Sequence, residues 1–208
     1  MSDLYDAILT GDAKAAAAAT RKRLDQGEAA LALVQGHMVP AMDEVGRRFE
    51  CEDYFVPEML LSARAMKAAM EILRPLLVAA GTKPIARVVI GTVKGDLHDI
   101  GKNLVASMLE GGGFEIIDLG ADVSPQSFIQ AAAEGHAQLV AISALLTVTM
   151  PSMKTTIDAF RAAGIRDSVK IMVGGAPVTQ QYADAIGADG YSDSAASAVA
   201  LARKLVGR

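Results

Sequence analysis

Asp96-Leu97-His98-Asp99-Ile100-Gly101 places a carboxylate two residues before an imidazole and a glycine three residues after it. The segment joins a strand-like run, residues 85–93, to a helix-like run, residues 101–110. An imidazole at the end of a strand can ligate a metal, contact a phosphate or act as a polar loop residue. Asp96 could take the second ring N–H of a ligating histidine, fixing its tautomer and raising its basicity, or it could equally be a turn aspartate. Asp99 is predicted to cap the following helix. Gly101 has no side chain where something bulky could press close.

The rest of the chain offers little help to a bare metal ion. Zinc takes three or four nitrogen, sulfur or oxygen ligands, whereas His37, Cys51 and His136 are scattered and show no ligand spacing. His37 is predicted to be structural and His136 solvated. A metal with a single histidine ligand must bring the rest of its coordination sphere with it, as a macrocycle does. The first loop, Gly91 to Gly101, fits neither G-x-G-x-x-G nor the P-loop pattern, since Gly101-Lys102 is followed by Asn103. Nucleotide binding by those routes is disfavoured.

Two halves of different periodicity must position these residues. Residues 1–80 are rich in helix formers and are predicted to be a small helical bundle. Asp12 caps a helix running to about Gln26, Glu28 to Gly36 is helical, Pro40 opens another helix to Phe49, and Pro57 starts a long one whose last turns Pro75 perturbs. Met59, Met66 and Met70 read as core filler. Residues 79–84 have the composition of a linker. Residues 85–208 alternate strands (87–92, 115–118, 139–144, 170–173, 190–191) with helices (101–111, 125–135, 152–163, 179–186, 194–206). The predicted fold class is therefore α/β: an N-terminal helical cap followed by a flavodoxin-like, five-stranded parallel sheet. Runs such as Val88-Val89-Ile90 suit strands buried on both faces. Ligands of such sheets bind beyond the C-terminal strand ends at the switch point. The histidine loop follows the first strand, Ser143 to Thr149 follows the third, and Gly174-Gly175 follows the fourth. Taken singly, Ser143, Thr147 and Thr149 could bond their own backbone, and the glycine pair could be a simple turn.

The 208 residues carry a formal net charge of −4, which gives nucleic acid no concentrated basic surface. The single cysteine excludes an internal disulfide and suits a reducing compartment. Neither a membrane-length apolar run nor a secretion signal is evident, so the expected location is the cytoplasm.

Asp96-x-His98-x-x-Gly101, then Ser143-x-Leu145, then Gly174-Gly175, together resemble the signature of the cobalamin-binding corrinoid proteins of methyltransferase systems, and of the cobalamin module of cobalamin-dependent methionine synthase. The resemblance spans nearly the whole chain, because Val45-Gly-Arg-Arg-Phe49 and Tyr54-Phe-Val-Pro-Glu-Met-Leu60 resemble that family's helical cap. It implies cobalamin, as methylcobalamin or its Co(I) form, bound with its lower base displaced and His98 in that base's place as axial cobalt ligand. It also implies a channel for the detached tail, with Ser143, Leu145 and Thr147 among the cofactor-binding residues and Gly174-Gly175 making room for the benzimidazole. Thr149 stands where methionine synthase has a serine that completes a relay with Asp96 and His98. Phe49 and Val56 match positions that shield the methyl-bearing face, Val56 being smaller than the leucine of methionine synthase.

The implied function is a methyl carrier, a corrinoid subunit that is non-catalytic alone. A substrate-specific methyltransferase would load it, and a second methyltransferase would unload it to tetrahydrofolate or a thiol, with a reductive activase as an optional third partner. The methyl donor (methanol, a methylamine, betaine or an aryl methyl ether) is not encoded in these residues. The alternative is a cobalamin-dependent sensor. Such a module would normally carry an output domain, but no basic recognition helix precedes the cap, and the chain has no tryptophan.

Overall fold

The structure is a computed structural model that describes residues 3–81 and 83–207. The chain folds into two compact units, Met1–Pro84 with Glu110–Gly113, and Ile85–Leu109 with Phe114–Arg208. Of the predicted linker 79–84, Thr82 lies outside the described residues.

The first unit contains helices α1 (Asp3–Leu9), α2 (Ala13–Asp25), α3 (Ala30–Leu33), α4 (Val39–Glu50) and α5 (Val56–Ala79). Asp12 caps α2, its carboxylate accepting from the amides of Lys14 and Ala15. The core of the unit is Leu4, Ile8, Leu33, Met38, Met42, Met59, Met66 and Leu73, all fully buried, while Met70 is half-buried. One expectation is corrected here. Residues 28–36 and the helix opened by Pro40 are not separate: α3 passes into α4 through a π-helical segment, Val34–Met38, in which Val39 N donates to Val34 O. Pro40 has no N–H to give the preceding turn, and the wider segment lets the helix run through it. Helix α5 carries Pro75 inside it and continues to Ala79.

The second unit alternates β1 (Arg87–Thr92), α6 (Ile100–Gly111), β2 (Glu115–Asp118), α7 (Pro125–Glu134), β3 (Leu139–Ser143), α8 (Pro151–Ala162), β4 (Lys170–Gly174), α9 (Gln180–Ile186), β5 (Gly190–Ser192) and α10 (Ala195–Leu205). All five strands are parallel, in the order β2-β1-β3-β4-β5. This is the doubly wound, flavodoxin-like order, and the winding reverses between β1 and β3. Phe128 of α7 with Ile157 and Phe160 of α8 are buried against Val89, Val140, Ile142, Ile171 and Val173 of the strands. Strand registry brings Thr92, Ser143 and Gly174 side by side, because Thr92 pairs with Ser143 and Ser143 with Gly174. Three chemically distinct loops therefore leave the same edge together.

Candidate functional site

Beyond Thr92 the chain stays tethered to the sheet as it turns. Val93 N donates to Ser143 O at 2.9 Å. Gly95 N then donates to Asp122 Oδ1 at 2.8 Å, Lys94 pairs with Asp122 Oδ2 at 2.9 Å, and Asp122 N donates to Asp96 O at 2.9 Å. These bonds turn the Asp96 side chain inward, where it is fully buried.

The Asp96 carboxylate receives donors from both loops. Oδ1 accepts from His98 N at 3.1 Å and His98 Nδ1 at 2.7 Å, and Oδ2 accepts from Leu145 N at 2.8 Å, Leu146 N at 3.2 Å and Thr149 Oγ1 at 2.7 Å. Burial alone would push this carboxyl up. The hydrogen bonds from the Thr149 hydroxyl, the Leu145 amide and His98 outweigh burial and hold it well below the usual carboxylate range. An ionised carboxylate only accepts, so Nδ1 of a neutral His98 carries the hydrogen and Nε2 keeps its lone pair. Among the described residues Nε2 meets no hydrogen-bond partner, and the side chain is 50% exposed. Thr149 Oγ1 also lies 2.8 Å from Leu146 O, so its one proton faces two acceptors.

The surroundings of the imidazole are apolar. Leu97 (77% exposed) and Ile100 flank it in one loop, and Leu145, Leu146 and Val148 (81% exposed) stand exposed in the next. Exposed aliphatic side chains on two adjoining loops could cover an apolar ligand. Gly101 fits the same description, since a Cβ built there would meet nothing within 4 Å. Its neighbours in the chain do not explain the missing side chain. Among the described residues no cluster of three or more His, Cys, Asp or Glu could hold a metal ion. The donor set is thus one poised imidazole nitrogen on an apolar surface. It suits a metal already held in a flat macrocycle, and it does not suit a bare cation.

The other predicted residues divide. Asp96, His98, Leu145 and Thr149 form one hydrogen-bonded constellation, with Ser143 at the end of β3 beside it. Thr147 is an exposed residue of the same loop. Gly174 ends β4, and a Cβ there would meet Ser192 O at 3.0 Å. Gly175 has φ +130°, and a Cβ there would lie 1.9 Å from Ala144 O. The pair therefore has a reason within the chain itself, besides any room it gives a ligand. Phe49 lies near the end of α4 and Val56 opens α5, both in the helical unit. His37 bonds Glu28 in that unit, and His136 is exposed. Asp99 immediately precedes α6, and its carboxylate accepts from the Asn103 amide.

Sequence reasoning missed several supports. Thr92 Oγ1 donates to His98 O at 2.9 Å, Asp122 clips the turn before Asp96, and Leu146 adds a backbone donor to the carboxylate. The Asp122 and Leu146 contacts depend on which loops the strand order places side by side, whereas the Thr92 bond lies within the turn that leaves β1.

Comparison with known proteins agrees with this geometry. Residues 86–200 match a family model described as a B12 binding domain, and residues 2–74 match a second model of the same description. The chain is 43% identical over 203 residues to trimethylamine corrinoid protein 1 of Methanosarcina acetivorans, covering 97% of this chain and 94% of that protein. It is 41% identical over 208 residues to the dimethylamine corrinoid protein of Methanosarcina barkeri, covering 99% and 97%. A solved cobalamin-binding protein from Desulfitobacterium hafniense superposes with a TM-score of 0.82 at 33% identity, over 97% of this chain and 96% of that one. One chain of the methanol:cobalamin methyltransferase complex MtaBC of Methanosarcina barkeri superposes with a TM-score of 0.88 at 27% identity, over 99% of this chain and 78% of that one.

Proposed function

We propose a function from one premise: the chain belongs to the B12-binding corrinoid proteins of methyltransferase systems and binds cobalamin. On that premise it is a methyl carrier, loaded by one methyltransferase and unloaded by another. Cobalamin, when bound, supplies a cobalt centre able to accept a methyl group and give it up. The single observation that carries the reading is His98, with Nδ1 locked on buried Asp96 and Nε2 left to face an apolar surface.

The chain's own residues have the following work. His98 Nε2 would be the protein nitrogen that holds the cobalt. Asp96 holds the Nδ1 hydrogen, fixes the tautomer and raises the basicity of Nε2. When it holds no metal, Nε2 could take up a proton, and the adjacent Asp96 carboxylate would stabilise the resulting imidazolium. Thr149 and the amides of Leu145 and Leu146 hold the carboxylate in place while this happens. Leu97, Ile100, Leu145, Leu146 and Val148 would keep water from the bound group, and Gly101 would leave space for it. Ser143, Leu145, Thr147, Gly174 and Gly175 border the path of the tail. For Phe49 and Val56 the shielding role rests on the family alone.

Identities of 43% and 41% with trimethylamine and dimethylamine corrinoid proteins, against 27% with the methanol complex, favour a methylated amine as the source of the methyl group. The acceptor is tetrahydrofolate or a thiol bound by the second methyltransferase, and a reductive activase is an optional third partner. The single, exposed cysteine suits the cytoplasm; among the described residues no helix is long and apolar enough to cross a membrane. These relatives lend no support to a cobalamin-dependent regulator.

The test is His98→Ala loaded with cobalamin. The variant should retain some corrinoid while nitrogen hyperfine coupling from histidine disappears from the Co(II) EPR spectrum and the visible spectrum shifts. Spectra identical to those of the wild type would sink the assignment.

A further inference from the structure

Lys102 is a buried charge with no part in the site chemistry so far described. It stands on the first turn of α6, one residue past Gly101, with its side chain 1% exposed. Burial disfavours an ammonium, and so does the positive end of a helix. The compensation is close pairing: Nζ donates to both carboxylate oxygens of Asp118 at 2.6 Å and to Asn103 Oδ1 at 2.7 Å.

Each partner leads back to the histidine. Asp118 ends β2, and its Oδ1 also accepts from Gly120 N at 2.8 Å. Gly120 O accepts from Thr92 N at 3.0 Å, and Thr92 Oγ1 donates to His98 O at 2.9 Å. The second branch passes through Asn103, whose Nδ2 donates to Asp99 Oδ2 at 3.2 Å, beside His98. Neither branch passes through Asp96.

We infer that Lys102 is a positioning residue for His98: its ion pair with Asp118 latches the backbone of the histidine loop to the end of β2, while Asp96 orients the ring. Asp96 fixes the tautomer, and the latch fixes where the imidazole stands. The inference deepens the assignment of His98 as cobalt ligand and rests on it. A pair that merely glued α6 to the sheet would stabilise the unit as a whole and leave the loop no more ordered than its surroundings.

The experiment compares Lys102→Met with wild type in the full chain. Without cobalamin, the amides of His98 and Asn103, which donate to Asp96 Oδ1 and Asp99 O, should exchange with solvent at least about tenfold faster, while those of Ile171–Val173 in β4 keep their protection. Loaded with cobalamin, the variant should keep the cofactor yet lose most of the histidine hyperfine signal. Asp118→Asn keeps the shape of that side chain at a part-exposed position, and it should give both changes even if Lys102→Met fails to fold. Uniform acceleration, or none at His98 and Asn103, overturns the latch. A full hyperfine signal in both variants, with the same signal in wild type, overturns the latch alone. Its absence from wild type overturns the ligand assignment, and the latch with it.

Discussion

Gly101 in the histidine loop and Gly175 beyond β4 are both signature glycines, yet the fold constrains only one of them. At Gly175 the backbone has φ +130°, and an added Cβ would fall 1.9 Å from Ala144 O. The turn after β4 crosses so close to the β3 loop that only a residue without a side chain passes. At Gly101 an added Cβ would meet nothing within 4 Å. The fold gives that glycine no steric reason, which leaves room for a ligand there. A motif glycine can therefore belong to the architecture or to the cofactor, and sequence alone gives both the same letter.

This contrast can be broken by crossing stability with binding. Gly175→Ala should cost about 3 kcal/mol or more, from backbone strain plus overlap with Ala144, with or without cobalamin. Urea denaturation of the cobalamin-free protein measures it. A variant as stable as wild type that only bound cobalamin poorly would move Gly175 to the ligand's side of the comparison.

Asp96→Asn should be next in size, about 2–3 kcal/mol at neutral pH, because an amide cannot accept on both sides and leaves donors of His98, Leu145, Leu146 or Thr149 unmatched. The pH dependence has a definite sign. The folded-state pKa of Asp96 is depressed, so its contribution is fully present above the unfolded value of about 3.9 and is lost as pH falls further toward the folded value. The gap between wild type and Asp96→Asn, followed by chemical denaturation, should narrow below about pH 4. A gap that stayed constant to about pH 2 would mean that the carboxylate's ionisation is irrelevant to the loop.

Gly101→Ala should have the smallest effect on the fold, under about 1 kcal/mol and toward greater stability, since alanine favours a helical turn over glycine. Gly101→Leu should likewise fold but weaken cobalamin binding at least about tenfold, which equilibrium binding followed by absorbance would measure. Undiminished affinity would show that nothing presses against this position and would remove the contrast with Gly175.

Much of the molecule was legible in the sequence because its signals are local. The change from helical to strand-and-helix periodicity near residue 80 follows from which side chains must be buried, and so do the five strands. Asp96 and His98 are close enough in sequence for their bond to be anticipated from spacing. The expectation failed where a helix had to absorb a local irregularity: Pro40 signalled a fresh start, but the π-helical turn of Val34–Met38 carries the helix through it.

Residue types and their order along the chain already supply the groups available: one imidazole with a carboxylate at hand, glycines at two corners, and a threonine hydroxyl in the loop after β3. Tertiary structure decided what those groups do to each other. Thr149, Leu145 and Leu146 reach Asp96 only because β1 and β3 are neighbours in parallel registry. Lys102 becomes a latch only because β2 ends beside the first turn of α6. The physical reason is range. Burial patterns repeat every two to four residues and can be read along the chain, whereas a hydrogen bond between loops some fifty residues apart exists only after the strands have chosen their partners.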